Sequence, residues 1–389
     1  MQVVRLLVLL GYCIFLQACS QVDDYILGKD NTPKPKELTA IVSKVDVTSV
    51  WSRPVGKASK TNTYLKLKPV VRSQVIYTAD ASGLIQAADL KNGNLLWSKQ
   101  VDHPVVSGPT IAEGYIIVGT DSSTIVLLKQ ATGQVVWEAH LSEDALSKSI
   151  IVNHQVIAKT IDGNLYAFDL ATGKKNWVSK HGAPNLILKA SSSPIRMGEL
   201  ILVGFSDGKL DAVDVNTGRV VWQRSIAYAT GASDVERLVD IDADPIVRNN
   251  IVYLASYQGY VGALGLENGQ FIWNKPGSVY KNMAIDSNTL YVTDSQDVLR
   301  GFDLNNGQVK WKQISLKAHG LTEPVLMGNR LIVCDKTGYL HVVSTHTGEL
   351  VGRKKLGSAV NISPVVAGDT VYVMLANGSL QALKITSKI

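Results

Sequence analysis

Gly204-Phe205-Ser206-Asp207-Gly208 has the G-x-S-x-G spacing of a serine nucleophile elbow, a pattern that could carry covalent chemistry. Such an elbow works because a strand turns sharply into a helix and leaves the serine hydroxyl exposed above a sheet. Here the residues after Gly208 read as another strand, and the same turn one period upstream, at Asp162-Gly163, holds no serine. The five positions are therefore expected to form a repeated turn. The seven histidines offer no metal site by spacing. His103, His140, His154, His181 and His319 fall in loops or at strand ends of different repeats, and His341 and His346 lack a spacing that converges two imidazoles. No glycine-rich phosphate loop followed by Lys-Ser or Lys-Thr occurs. The expectation is a protein that is not an enzyme, with no catalytic residue, no metal and no cofactor.

The cysteines point to a compartment. Arg5 precedes an apolar run over residues 6–16, and Leu16-Gln17-Ala18-Cys19 then sets a cysteine directly after a small residue. This reads as a secretory signal over 1–18 with a lipoprotein cleavage box, in which Cys19 becomes the acylated first residue. The run is shorter than the roughly 20 residues a membrane-spanning helix needs. Resemblance to Gram-negative lipoproteins implies sorting to the outer membrane, because Ser20 follows the cysteine. Cys13 leaves with the signal, so Cys334, at the end of the apolar run 331–333, has no partner and is expected to be a small buried hydrophobe. Residues 19–44, with Pro33 and Pro35 among polar neighbours, read as a lipidated flexible tether.

The rest, 45–389, repeats. With 46% apolar and 19% charged residues the chain is neither disordered, nor collagenous, nor polytopic, and a net charge of +6 is too slight for a nucleic-acid footprint. A turn motif, often Asp, then Asn or Thr, then Gly, with Trp four residues later, recurs at Asp89, Gly93 and Trp97. It returns at Gly133 with Trp137, Gly173 with Trp177, Gly218 with Trp222, Gly269 with Trp273 and Gly307 with Trp311. A seventh copy at Gly348 has Gly352 in the tryptophan position. The turn glycines are 40, 40, 45, 51, 38 and 41 residues apart. About ten residues before each lies a second hairpin turn, and there are eight of these, from Ser82-Gly83 to Asn377-Gly378. A period near 40 with several short apolar runs is the pattern of four-stranded propeller blades, so the fold class is all-β, an eight-bladed β-propeller. The eighth repeat lacks its outer strand, and Val47 to Arg53, with Trp51, is expected to supply it from the N-terminus. The motif is then packing: Asp caps the turn, Gly takes the positive φ, and Trp fills the wedge between blades.

Departures from the period locate the functional candidates. The interval from Trp to the next blade's second turn is 26 residues after Trp97 and Trp137, but 31 after Trp177 and 37 after Trp222. Two consecutive blade-to-blade connections therefore carry insertions and must be neighbours. The first holds Asn185-Leu186-Ile187-Leu188-Lys189, and the second runs from Ala229 through Arg237-Leu238 to Asp240-Ile241-Asp242. Apolar residues beside charges on adjacent loops of a rigid ring suit a protein-docking patch. They equally suit leucines that plug the ring, with the acids as solvated caps.

Two resemblances bear on this. The repeat is similar to the tryptophan-docking repeat of quinoprotein dehydrogenases, eight-bladed propellers that bind pyrroloquinoline quinone and calcium, but the adjacent Cys-Cys pair typical of their cofactor site is absent. With the lipobox, eight repeats, the Leu-x-Leu-basic loop and the 229–242 segment followed by Pro245, the chain resembles the BamB family, lipoproteins of the outer-membrane β-barrel assembly machinery. That resemblance implies a nonenzymatic scaffold on the periplasmic face of the outer membrane that docks on the POTRA domains of BamA and, through BamA, joins the other subunits. Carried onto this chain, the partner-binding residues are Leu186, Leu188, Lys189, Arg237, Asp240 and Asp242, with Lys189 standing where the family commonly has Arg. Lys keeps the charge but loses bidentate geometry. Blade edges could accept strands of unfolded outer-membrane proteins, or be inert.

Overall fold

The computed structural model describes residues 33–56, 66–184, 186–188, 191–228, 233, 236–267 and 269–388. The chain divides into two units, Met1–Pro35 and Lys36–Ile389. Of the first, the described residues 33–35 are exposed. Cys19 and the expected signal lie outside the described residues. No helix among the described residues is long and apolar enough to cross a membrane.

The second unit is an eight-bladed β-propeller in which every sheet has four antiparallel strands. In chain order the blades occupy 70–100, 105–140, 150–180, 195–225, 246–277, 284–313, 325–355 and 365–387, and we number them 1 to 8. Each of the first seven is built from four consecutive strands. The eighth takes Val45–Pro54 as its outer strand, paired along its length with Ser379–Ser387. One blade thus joins both ends of the ring, with no covalent closure and no unpaired inner edge.

Eight apolar clusters hold the ring, one at each junction between neighbouring blades. The junction of blades 8 and 1 is as apolar as the rest: Trp51, Val55, Ile76, Leu90, Tyr372 and Leu380 meet there. Burial of such area, worth roughly 25 cal/mol per Å², is the main favourable term for closure. Each of the eight second turns places a positive-φ residue at its tip, for example Gly83, Ser123, Asp297 and Gly378.

The tryptophan motif works through three local contacts. Asp89 Oδ1 accepts the N–H groups of Lys91 and Asn92, at 3.0 and 3.1 Å, and Asp169 and Asp214 cap their turns in the same way. Gly133 has φ +70°, and a Cβ there would lie 2.6 Å from the Trp97 ring. The tryptophan of one blade therefore packs flat on the turn of the next, where only glycine leaves room. Its indole N–H donates to a backbone carbonyl of that turn: Trp97 to Gln130, Trp137 to Leu170, Trp177 to Val215, Trp273 to Leu304, Trp311 to Thr345 and Trp51 to Leu90.

Two junctions depart from this device. Gly352, in blade 7, stands where tryptophan is expected. Blade 8 has no turn before its outer strand, because that strand comes from the N-terminus, so a tryptophan would have nothing to dock on. Val45 fills the place, and a Cβ on Gly352 would meet its Cγ2 at 2.4 Å. Between blades 4 and 5, the Arg224 side chain rather than Trp222 covers the turn glycine Gly269, and its guanidinium lies 5.8 Å from the Trp222 ring centre.

Residues 36–44, expected as the end of the flexible tether, are instead held along blades 6 and 7. Lys36 N–H donates to Lys317 O at 3.1 Å and Lys44 N–H to Val351 O at 2.8 Å. His319 Nε2 lies 2.6 Å from Lys36 O, and Arg353 donates to Thr39 O at 2.9 Å. Leu38 packs on the apolar cluster between the two blades.

Candidate functional site

The two insertions meet. They connect blades 3 and 4 and blades 4 and 5, and the backbone N–H of Leu188 donates to Asp240 Oδ2 at 2.6 Å. The expected partner-binding residues divide by depth around that bond. Leu186 is 43% exposed and Arg237 is exposed, whereas Leu188 is half-buried. Asp240 and Asp242 are fully buried, so neither presents its carboxylate to the surface. Lys189 lies outside the described residues.

Burial of the two acids follows from the path of the second insertion. After Arg237 the chain turns inward, and Leu238, Val239, Ile241 and Ala243 are buried, Ile241 in the apolar cluster between blades 4 and 5 and Ala243 in the one between blades 5 and 6. Ile241 N–H donates to Phe205 O at 3.2 Å, and Tyr257 N–H donates to Asp240 O at 2.8 Å. Gly204 makes the approach possible, since a Cβ there would lie 2.5 Å from Ile241 Cγ2 and 2.8 Å from Ser192 Oγ. In sequence the two acids read as docking residues or as solvated caps. Both sets of side chains are buried because the segment is covered on both sides.

Electrostatics follow from depth. Burial, and then the charge of Asp242, push the Asp240 carboxyl up to about 8. Burial pushes Asp242 up to about 7 against the pull of Lys66 and Lys159. A largely neutral Asp240 still accepts the Leu188 N–H, so the tie between the loops does not depend on its ionisation.

A second clamp holds the first insertion at its root. His181 stacks on Phe205 with ring centres 3.7 Å apart, and its Nδ1 and Nε2 lie 2.7 Å from Asp211 Oδ2 and 3.1 Å from Asp207 Oδ1. Burial works against its cation, but the hydrogen bonds to Asp207 and Asp211 outweigh it and raise the imidazole to about 9. This answers the serine-elbow pattern by geometry. Both His181 nitrogens are committed to carboxylates beside Ser206, which leaves that serine no imidazole base, and strand Lys209–Asp214 follows the turn.

Spacing had kept the other histidines apart. Folding brings His341 Nε2 to 2.8 Å and His319 Nδ1 to 3.3 Å from Asp335 Oδ2, all three buried. No group of three or more His, Cys, Asp or Glu suited to a metal ion occurs among the described residues. The neighbouring Cys334 is fully buried, and burial holds its thiol well above the ordinary range, as fits a small core residue.

Sequence reasoning missed two features. Tyr228 opens the second insertion and is 70% exposed, an apolar ring beside the tied loops. Its signal was an aromatic residue three positions after the end of strand Val220–Ser225. The other is a polar collar on the ring axis. In each blade one residue lies two positions before the start of regular pairing in the inner strand. Around the ring these are Lys68, Gly108, Lys148 and Ser193 in blades 1 to 4. Blades 5 to 8 contribute Asp244, Asn282, Glu323 and Ser363. All but Gly108 are polar.

A closed ring with docked seams and two tied connections belongs to the class of eight-bladed, tryptophan-docked propellers. A family profile described as outer membrane protein assembly factor BamB matches residues 81–313 and 298–387. The outer membrane protein assembly factor BamB of Legionella pneumophila (strain Paris) is 59% identical over 383 residues, covering 98% of this chain and 100% of that protein. The crystal structure of BamB from Moraxella catarrhalis superposes with a TM-score of 0.79 at 23% identity, over 87% of this chain and 100% of that one. A europium-containing methanol dehydrogenase shares the fold alone, with a TM-score of 0.71 at 14% identity over 87% of this chain and 93% of that one. The chain belongs to the BamB family of outer membrane protein assembly factors. Its relatives are named as assembly factors, not as quinone-dependent dehydrogenases.

Proposed function

We propose that the chain is a lipid-anchored scaffold on the periplasmic face of the outer membrane, where it assists assembly of β-barrel proteins by docking on the POTRA domains of BamA. The names of its relatives support the assembly role. The anchor rests on the lipobox: residues 1–18 act as a signal, Cys19 carries the lipid and 19–44 links it to the ring. The mechanism is positional, since a rigid ring on a lipidated arm raises the effective concentration of its partner at the membrane. Once there, BamA connects it to the other subunits.

The observation that carries the docking reading is the Leu188 N–H to Asp240 bond, which ties two independent insertions into one surface. Leu186 and Arg237 are its contact residues. Leu188, Asp240 and Asp242 are positioning residues, and Lys189, next after Leu188 in sequence, adds a cation. Tyr228 extends the apolar part.

The test is capture of the full chain by an immobilised POTRA region. Leu186→Glu is exposed and leaves the circular dichroism spectrum and thermal midpoint unchanged, while capture falls at least tenfold. Capture equal to wild type would remove the loops as the docking surface. Cleavage and acylation are read separately, by mass spectrometry of the membrane-extracted protein, with Cys19→Ala as the unlipidated control.

A further inference from the structure

The collar on the axis is tightly joined yet leaves one cation over. Lys66, from the segment entering blade 1, reaches blade 5, where its Nζ lies 2.7 Å from Asp244 Oδ1 and donates to Asp242 O at 2.9 Å. Asp244 also accepts the Ser193 N–H at 2.6 Å and an Asn282 side-chain N–H at 3.1 Å. Lys68 pairs with Glu323 at 2.8 Å. Lys66 and Lys68 overcome the effect of burial and hold Asp244 and Glu323 below the ordinary carboxylate range, so both acids are ionised. Below this layer Lys159 donates to Gly204 O at 2.6 Å, near Asp242.

Lys148 has no such partner. Its backbone N–H donates to Ser193 Oγ at 3.2 Å, but its ammonium makes no hydrogen bond with the described residues. Lys66, Lys68, Lys148, Asn282, Glu323 and Ser363 line a cavity of about 20 Å³, the room of one water-sized group. Ser363 is 5% exposed, and its Oγ is a buried hydroxyl without a partner among the described residues. Among the described residues the collar therefore sets three ammonium groups against two carboxylates, around a space that a buried donor also lines. The half-buried Lys148 lines that space; a cation withdrawn from bulk water favours a counter-charge, and a buried hydroxyl needs a hydrogen-bond partner.

We propose that the collar binds one small monovalent anion of the halide class, held by the Lys148 ammonium and the Ser363 hydroxyl. One negative charge balances the set, and a monatomic ion matches the water-sized space between these side chains. The ion joins blades 3 and 8 through the axis, which the direct side-chain bonds do not link. It acts as a structural ligand of the ring, independent of the docking loops.

The test uses the full chain in detergent at fixed ionic strength. Replacing about 100 mM sodium gluconate with sodium chloride or bromide raises the thermal midpoint of the wild type by about 3 °C, the shift expected of a ligand well above its Kd. Lys148→Met abolishes the difference between the salts. Equal midpoints in the two salts, or the same difference in wild type and variant, overturns the proposal. Should Lys148→Met fail to fold, Ser363→Ala takes its place and halves the shift or more. Crystals soaked in bromide give an anomalous peak in the collar between Lys148 and Ser363. Bromide bound only at the surface overturns the site.

Discussion

The junction of blades 2 and 3 and that of blades 4 and 5 do the same mechanical work by different means. At the first, Trp137 lies on Gly173 and donates to Leu170 O at 2.9 Å, and the connecting loop is short. At the second, Arg224 covers Gly269, and the connection is the longest in the ring. Part of that connection is buried, and Ile241 is driven into the junction and supplies apolar area of its own. The docking tryptophan is thus one solution to filling a wedge. Where an inserted loop fills the wedge, the tryptophan contact can relax and the loop gains a fixed base.

The contrast can be broken at several points. Trp273→Ala, at a regular junction, should cost about 3–5 kcal/mol through lost area and cavity formation. Trp222→Ala should cost less by about 1–2 kcal/mol, because the loop and Arg224 share that junction. Equal costs in urea unfolding would mean that the insertion bears no load. Gly204→Ala pushes a methyl toward Ile241 and should destabilise by about 1–3 kcal/mol, as overpacked cores do. A neutral outcome would place Ile241 away from Gly204.

Asp240→Ala removes the acceptor of the Leu188 N–H and should cost about 1–2 kcal/mol, with faster amide exchange confined to residues near 188. Asp240→Asn keeps an acceptor and should retain slow exchange; if both variants exchange alike, the tie is not the hydrogen bond.

The pH dependence has a definite sign. His181 is raised to about 9 from an ordinary value near 6.5, so its contribution is complete below about 6.5 and is lost as pH rises through 9. Asp240 and Asp242 are raised to about 8 and about 7, and their neutral forms likewise favour the fold on the acid side of those values. The thermal midpoint should therefore fall from pH 6 to pH 9, and His181→Asn should flatten the fall. Parallel profiles would show that the clamp at Phe205 does not titrate. The smallest effect belongs to Ser206→Ala, within about 0.5 kcal/mol and without change in partner capture.

Legibility tracked the distance along the chain. The Asp-capped turn, its glycine and the tryptophan four residues later form one local unit, so the repeat showed the blades directly. Trp51 betrayed the outer strand of blade 8 because it was the tryptophan without its turn. The Arg224 substitution was hidden, since blade 4 keeps its tryptophan in sequence and only the partner turn shows what covers it. Asp240 and Asp242 looked like surface acids because alternation cannot distinguish a half-exposed segment from one covered on both faces. His319 and His341 stood apart in spacing and met at Asp335 only through the packing of blade 7 and the loop before it.

The amino-acid sequence by itself determined eight blades, the strand that closes them and the two connections that break the period, because each rests on contacts a few residues apart or on counting. The tertiary structure decided which side chains of those connections face solvent, and it placed Lys66 against Asp244 and Lys148 beside Ser363. Those pairs are separated by 178 and 215 positions. No local pattern links them. Closure of the ring brings one position from every blade to a common axis, where burial makes each unpaired charge costly and so gives the collar its chemistry.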